Sequence, residues 1–379
     1  MIEILPRIPL YRAFRGWNRP RLLPMNLTVS LTYRCNSRCR TCNVWKKRSE
    51  ELSLEEWGLV FASLGRAPYW ITFSGGEPLL RADVVEIVER AYAHCRPAII
   101  NIPTNGLLPA LTTERVAAIV ERCPDSQIIV NLSLDGWGEQ HDRIRNVPGN
   151  FQRAMETYRG VRGLSAPNLT LGVHTVISRY NVDAIPKLYE YVRTLAPDSY
   201  ITEIAEERVE LDTVGSDITP SSEDYSRAIQ FVRARLLETS LHGVARVARA
   251  FRVQYYDLVQ AWLREQRQII PCYAGWASAQ ISPEGDVWFC CVQAEPVGNL
   301  QEANYDFRRV WFSQRAAAVR KTVRDGACHC PLANAAYTNM LCHYPSLVRA
   351  GLTLLGGGMR LRRSGRSLTE PGPALEAVQ

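Results

Sequence analysis

The stretch LTVSLTYRCNSRCRTC, residues 27–42, joins a β-branched run to three cysteines packed into eight residues. Residues 27–33 predict a buried strand. Cys35, Cys39 and Cys42 then fall in the loop that follows it. Working outward, the same alternation repeats five more times. YWITFS (69–74) precedes a helical pattern at 83–92, AIINIP (98–103) one at 112–123, and QIIVNLSL (127–134) one at 150–164. LTLGVHTVI (169–177) precedes 181–193, and SYITEIA (199–205) precedes a helix around 222–239. The first helix, 53–64, carries Ser53 and Glu56 in capping-box spacing. Strand–helix alternation implies a parallel sheet with helices outside it. Six units are too few for a closed eight-fold barrel, so the expectation is an α/β, partial (βα)6 TIM-like barrel. Chemistry in such folds gathers at the C-terminal ends of the strands, which is where the three cysteines lie.

Three thiolates at this spacing suit few tasks. Structural zinc wants four protein ligands, and the next cysteine is Cys95. A redox pair needs two. A [4Fe–4S] cluster held by three cysteines leaves one iron open to a substrate or cofactor.

CxxxCxxC after the first strand, with GGEP at the end of the second (Gly75, Gly76, Glu77, Pro78), resembles the radical S-adenosylmethionine superfamily. PTNG (103–106), SLDG (133–136) and HDRIRNVPGNF (141–151) extend the likeness through residues 25–235. The resemblance implies that Cys35, Cys39 and Cys42 hold a cluster that binds S-adenosylmethionine. It implies that Glu77 and the neighbouring backbone meet the methionine ammonium, with Asn105 and Ser133 lining the pocket and Arg145 near the carboxylate. It further implies reductive cleavage to a 5′-deoxyadenosyl radical, which abstracts hydrogen from an unactivated C–H bond. Asp135 reads either as part of this pocket or as a loop cap, and His141 as a loop-ordering histidine ahead of a catalytic base. Thr41 departs from the aromatic residue often found before the third cysteine. Glu203, Glu206 and Glu207 in EIAEER (203–208) read either as substrate-facing acids or as a solvated run.

Six more cysteines come late: Cys272, Cys290, Cys291, Cys328, Cys330 and Cys342. SPEGDVW (282–288) predicts a hairpin turning at Pro283–Gly285, which brings Cys290 back toward Cys272. This segment resembles the SPASM/twitch extension of radical enzymes, although the CxxCxxxxxC run of the full form is absent. The resemblance implies a small C-terminal iron–sulfur domain with one auxiliary [4Fe–4S] cluster, held by Cys272 and Cys290 with partners from Cys328, Cys330 and Cys342. Structural zinc is the competing expectation, since thiolates suit both. Cys291 is assigned no cluster role. Cys95 and Cys123 read as core residues.

The remaining sequence limits the classes. No run of 18 apolar residues occurs, and MIEILPRIPLYRAF lacks a secretory apolar stretch, so a cytoplasmic enzyme is expected. Eleven cysteines in such a chain favour metal work over a disulfide scaffold. The net charge of +7 sits entirely at the ends, +4 in residues 1–24 and +3 in 346–379. Arginines interleaved there with bulky apolar residues suit peripheral contact with a membrane; no nucleic-acid motif accompanies them. The expected divisions are a basic extension (1–24), the radical core (25–235), a helical linker (236–270), the auxiliary domain (271–345) and a basic tail (346–379). The expected substrate is a small molecule or lipid-like compound, with a reductant such as flavodoxin or ferredoxin. The alternatives are a maturase of ribosomally made peptides and a non-catalytic iron–sulfur electron carrier. Few residues precede the first strand, too few for the fused peptide-recognition domain many maturases carry, though a separate protein could supply it.

Overall fold

The computed structural model describes residues 2–238 and 243–363; residues 364–379 of the predicted basic tail lie outside them. Six strands alternate with helices as the periodicity predicts: β1 (Asn26–Thr32), β2 (Trp70–Gly75), β3 (Ile99–Thr104), β4 (Gln127–Ser133), β5 (Leu169–Ile177) and β6 (Ser199–Ile204). All five pairings between neighbours are parallel. Leu27, Val29 and Leu31 are buried on one face of β1, and Ser30 and Thr32 on the other, as expected for a parallel strand covered on both sides. β6 ends the sheet instead of returning to β1, so the barrel is open.

On the other side of β1 the sheet continues. β7 (Ser278–Ile281) pairs parallel with β1, and β8 (Asp286–Trp288) and β9 (Pro296–Asn299) follow antiparallel. The predicted hairpin is present, turning at Gly285 with φ +90°. Sequence reading missed that it extends the barrel's own sheet. β7, which lies between Cys272 and Cys290 in sequence, is thus paired with β1, the strand that leads into the first cysteine loop. Two helices follow β9, Phe307–Trp311 and Gln314–Arg324, the second capped by the Ser313 side chain.

Candidate active site

The cysteine loop is pinned from three sides. The helix Glu139–Arg145, which overlaps the HDRIRNVPGNF stretch, offers its last carbonyls: Arg38 N–H donates to Arg145 O (3.2 Å) and Arg40 N–H to Ile144 O (2.9 Å). Asn43 N–H donates to Leu211 O at 2.9 Å, tying the loop to the segment after β6. The end of β2 supplies the third side, with Gly76 N–H donating to Thr32 O (2.7 Å) and Glu77 N–H to Arg34 O (2.9 Å). This explains the paired glycines. A Cβ on Gly76 would stand 2.3 Å from Arg34 O, and one on Gly75 2.2 Å from Thr32 O. Their close approach is to the end of β1 and the start of the cysteine loop.

Cys35, Cys39 and Cys42 line one end of a cavity of about 220 Å³, together with Gly75, Gly76, Glu77, Asn105, Ser133 and Arg145. Pro78 does not line it; it is buried at the start of the short turn Pro78–Leu80. N–H donors are aimed at two of the sulfurs. Ser37 N–H lies 3.4 Å and Asn105 Nδ2 3.8 Å from Cys35 Sγ, and Arg145 Nη1 lies 3.7 Å from Cys39 Sγ. Such donors suit anionic sulfur. Burial pushes the Cys35 and Cys42 thiols up, to about 11 and about 12, so without metal they hold their protons. Among the described residues no three Cys, His, Asp or Glu side chains gather tightly enough for a single metal ion. The three thiols line one cavity, an arrangement that would suit a four-iron cluster with one iron left open.

The other predicted residues divide by role. Glu77 is buried and already occupied: it accepts from Asn105 N–H (2.7 Å), the Thr104 hydroxyl (3.0 Å) and Leu79 N–H (3.3 Å). Burial outweighs these donors and lifts its pKa to about 7. It clamps the end of β3 to that of β2, whatever it does for a ligand. Asn105 donates to Asn36 Oδ1 at 2.7 Å, reaching into the cysteine loop. Arg145 pairs with Asp135 at 2.8 Å, and Asp135 also accepts from Val176 N–H at 2.9 Å. Arg145 Nε is buried without a partner. His141 orders the loop: its Nδ1 accepts from Asp135 N–H (3.1 Å), so Nε2 carries the proton toward Asn150 Oδ1 (2.7 Å). Burial and the Arg145 charge depress its pKa to about 4, which leaves it neutral near pH 7.

The far wall of the cavity comes from β5 and β6. Glu203 and Glu206 line it, with His174 and Arg208, which sequence reading missed. His174 sits near the C-terminal end of β5, the position where barrel strands present functional groups, but there it reads as part of an unbroken strand. Glu203 Oε1 stands 3.5 Å from His174 Nε2, too long for a good hydrogen bond. Glu206 pairs with Arg208 at 2.8 Å. Its second oxygen and His174 Nε2 are buried without hydrogen-bond partners. Glu207 instead accepts from Gly215 N–H (2.6 Å) and Asp217 N–H (2.8 Å) on an exposed loop.

Burial raises the Glu206 pKa to about 7 against the opposing pull of Arg208. A raised carboxyl stabilises the fold fully below its unfolded pKa and loses that contribution as pH rises through the folded value. Melting temperature should therefore fall between about pH 5 and 8, and less steeply in Glu206→Gln. Parallel curves for the two proteins would show that Glu206 titrates normally.

At the other end of the chain, burial raises the pKa values of Cys272 and Cys290, and the two thiols lie within electrostatic range of each other and of Cys328. Cys330 senses both Cys272 and Cys290. Cys342 does not join them. It is fully buried in a separate apolar cluster with Ile4, Tyr11, Phe14, Tyr273 and Trp276, beside Arg12, which donates to its carbonyl at 2.7 Å. Of the expected ligand candidates, Cys342 is thus the one placed against the N-terminal helix, far off in sequence. Cys291 faces Glu210 and Arg208. Cys95 and Cys123 are core residues, as expected.

Comparison with known proteins agrees with this geometry. The Radical SAM superfamily model matches residues 29–192, and the SPASM iron–sulfur cluster-binding model matches 272–331. The chain belongs to the radical S-adenosylmethionine superfamily of enzymes and carries a SPASM iron–sulfur domain at its C-terminal side. The SPASM match ends before Cys342. Similar proteins include the AdoMet-dependent heme synthase of Methanosarcina barkeri, 27% identical over 81% of this chain and 86% of that protein. The PqqA peptide cyclase of Methylocella silvestris is 28% identical over 82% and 83%. The mycofactocin maturase MftC of Mycolicibacterium smegmatis is 26% identical over 84% and 78%. The fold is similar to Streptococcus suis SuiB bound to precursor peptide SuiA (TM-score 0.57, 15% identity, 79% of this chain and 67% of that chain). It is likewise similar to anSMEcpe with bound AdoMet and Cp18Cys peptide (TM-score 0.58, 14% identity, 91% and 100%).

Proposed function

We propose that this enzyme modifies a peptide substrate, against the small-molecule or lipid-like compound that the sequence suggested. The observation that carries the choice is the wall opposite the cysteines, where Glu203, Glu206, His174 and Arg208 line the same cavity with charged and polar groups. The unpartnered Glu206 oxygen and His174 Nε2 supply hydrogen-bonding positions of the kind a peptide amide would use. The names of the peptide cyclase and the maturase, and the peptide-bound fold neighbours, support the same reading.

Cys35, Cys39 and Cys42 would hold the first cluster, with Gly75, Gly76, Glu77, Asn105, Ser133 and Arg145 around S-adenosylmethionine. When bound, these groups supply a 5′-deoxyadenosyl radical that takes hydrogen from substrate carbon. The chain's own part is to orient and shield. Arg145, held by Asp135, keeps positive charge beside Cys39, and Glu203, Glu206, His174 and Arg208 position the substrate on the opposite wall. Cys272, Cys290, Cys328 and Cys330 would hold the auxiliary cluster, four thiolates for four irons. Iron analysis separates this from the five-cysteine assignment: Cys342→Ala should keep the full complement, whereas Cys330→Ala should lose up to about four irons. Equal loss in both variants would return Cys342 to the ligand set.

The functional test is reconstituted enzyme with dithionite, S-adenosylmethionine and short peptides encoded beside its own gene, run in parallel with iron-porphyrin substrates. Peptide-dependent 5′-deoxyadenosine and a mass change in the peptide are expected. Turnover of porphyrins with no response to any peptide would restore the small-molecule reading, which the heme synthase relative favours.

A further inference from the structure

The helix Ile8–Trp17 is apolar on two sides. Its inner face buries Ile8, Tyr11 and Phe14. A surface helix normally turns a polar face outward. Here every exposed residue from Leu5 to Asn18 is uncharged, with Leu5, Leu10 and Trp17 the largest. Trp17 is 80% exposed. The arginines of this helix, Arg12 and Arg15, are half-buried at its flanks.

A second helix, Tyr344–Arg363, starts against the first. The Arg12 guanidinium lies 3.8 Å over the Tyr344 ring. Tyr344, Val348 and Leu352, spaced four apart, form an exposed stripe, with Val348 at 63% and Leu352 at 61%. Exposed Arg349 sits beside this stripe. Asp257, on the helix packed alongside, lies near Arg349 and is paired with Arg233 at 3.8 Å.

The charge along these segments has one sign. No acidic residue occurs from Ile4 to Ser49, or from Gly326 to Arg363. We propose that the outer faces of these two helices dock on the surface of an anionic lipid bilayer. Bulky apolar residues with tryptophan at the boundary and arginines at the flanks are what an interfacial helix needs. Basic segments near a surface gain from anionic headgroups. No described helix is long and apolar enough to cross a membrane, so the protein would lie on the bilayer without spanning it. A second copy of the chain fits the face less well, because pairing it with itself would bring arginines together. The proposal is independent of the substrate.

The test is sedimentation of the full-length, reconstituted protein with phosphatidylcholine vesicles, with and without phosphatidylserine. Binding to the phosphatidylserine vesicles at low salt, lost as ionic strength rises, is expected. Leu10→Glu, Trp17→Glu, Val348→Glu and Leu352→Glu together should weaken it by at least about tenfold, with iron content unchanged, since these side chains are exposed. A single Arg349→Gln variant, which introduces no repulsive charge, should weaken it less. Absence of binding by the wild type overturns the proposal. So does a fourfold variant that retains iron and binds as well as the wild type, or a concentration-dependent dimer that the same four substitutions abolish in place of any vesicle binding.

Discussion

Replacing Cys35, Cys39 and Cys42 together by alanine should reduce iron from about eight per chain to about four and abolish formation of 5′-deoxyadenosine. The two halves of that result test different things. Loss of about four irons assigns the first site. Retention of the rest shows that the SPASM thiols assemble without it, as their separate elements imply, although both groups flank β1. The converse variant, lacking Cys272, Cys290, Cys328 and Cys330, should keep about four irons. It should still cleave S-adenosylmethionine slowly, because nothing in the first cavity is built from those residues. A triple variant with the full iron complement refutes the ligand assignment. One without any iron shows instead that the two sites fold as a unit.

The barrel was legible in the sequence because its strands are short, β-branched and evenly spaced, and each is followed by a helical period. The observed strand limits stay within a residue of those read from Leu27, Gln127 and Leu169. The first site was legible for a related reason: its residues fall at strand ends, so local position fixes spatial position. What was not legible depends on distant segments meeting. The helix Glu139–Arg145 has seven residues and no apolar period long enough to detect, yet its carbonyls hold the cysteine loop. Cys342 stands twelve residues from Cys330, closer than Cys330 is to Cys290, but sequence distance says nothing of the helix from the N-terminus that packs against it. His174 and Arg208 carry no motif. They matter because β5 and β6 bring them to one wall.

Gly76→Ala should have a large effect for so small a substitution near the site. The added Cβ would lie 2.3 Å from Arg34 O, 2.7 Å from Arg34 C and 2.8 Å from Tyr33 O. All three are backbone atoms of the segment that leads into Cys35, so no side chain can swing aside. Either β2 or the cysteine loop must move, and overpacking of this kind costs on the order of 1–3 kcal/mol. The loop is the weaker partner. β2 is paired on both sides within the sheet, whereas the loop is irregular and held at scattered points. Movement of the loop would draw Cys35 away from Asn105 and Cys39 away from Arg145, which now stand 3.8 and 3.7 Å from their sulfurs. The expected result is a folded protein that keeps the auxiliary irons, binds the first cluster poorly and forms little 5′-deoxyadenosine. Gly58→Ala is the control. Its Cβ would meet only the Arg90 side chain, at 3.9 Å, inside the helix Leu54–Leu64; alanine there should be neutral or stabilising by up to about 1 kcal/mol. If Gly76→Ala matches Gly58→Ala in iron content and activity, the paired glycines do not set the position of the cysteine loop, and their purpose lies with a ligand after all.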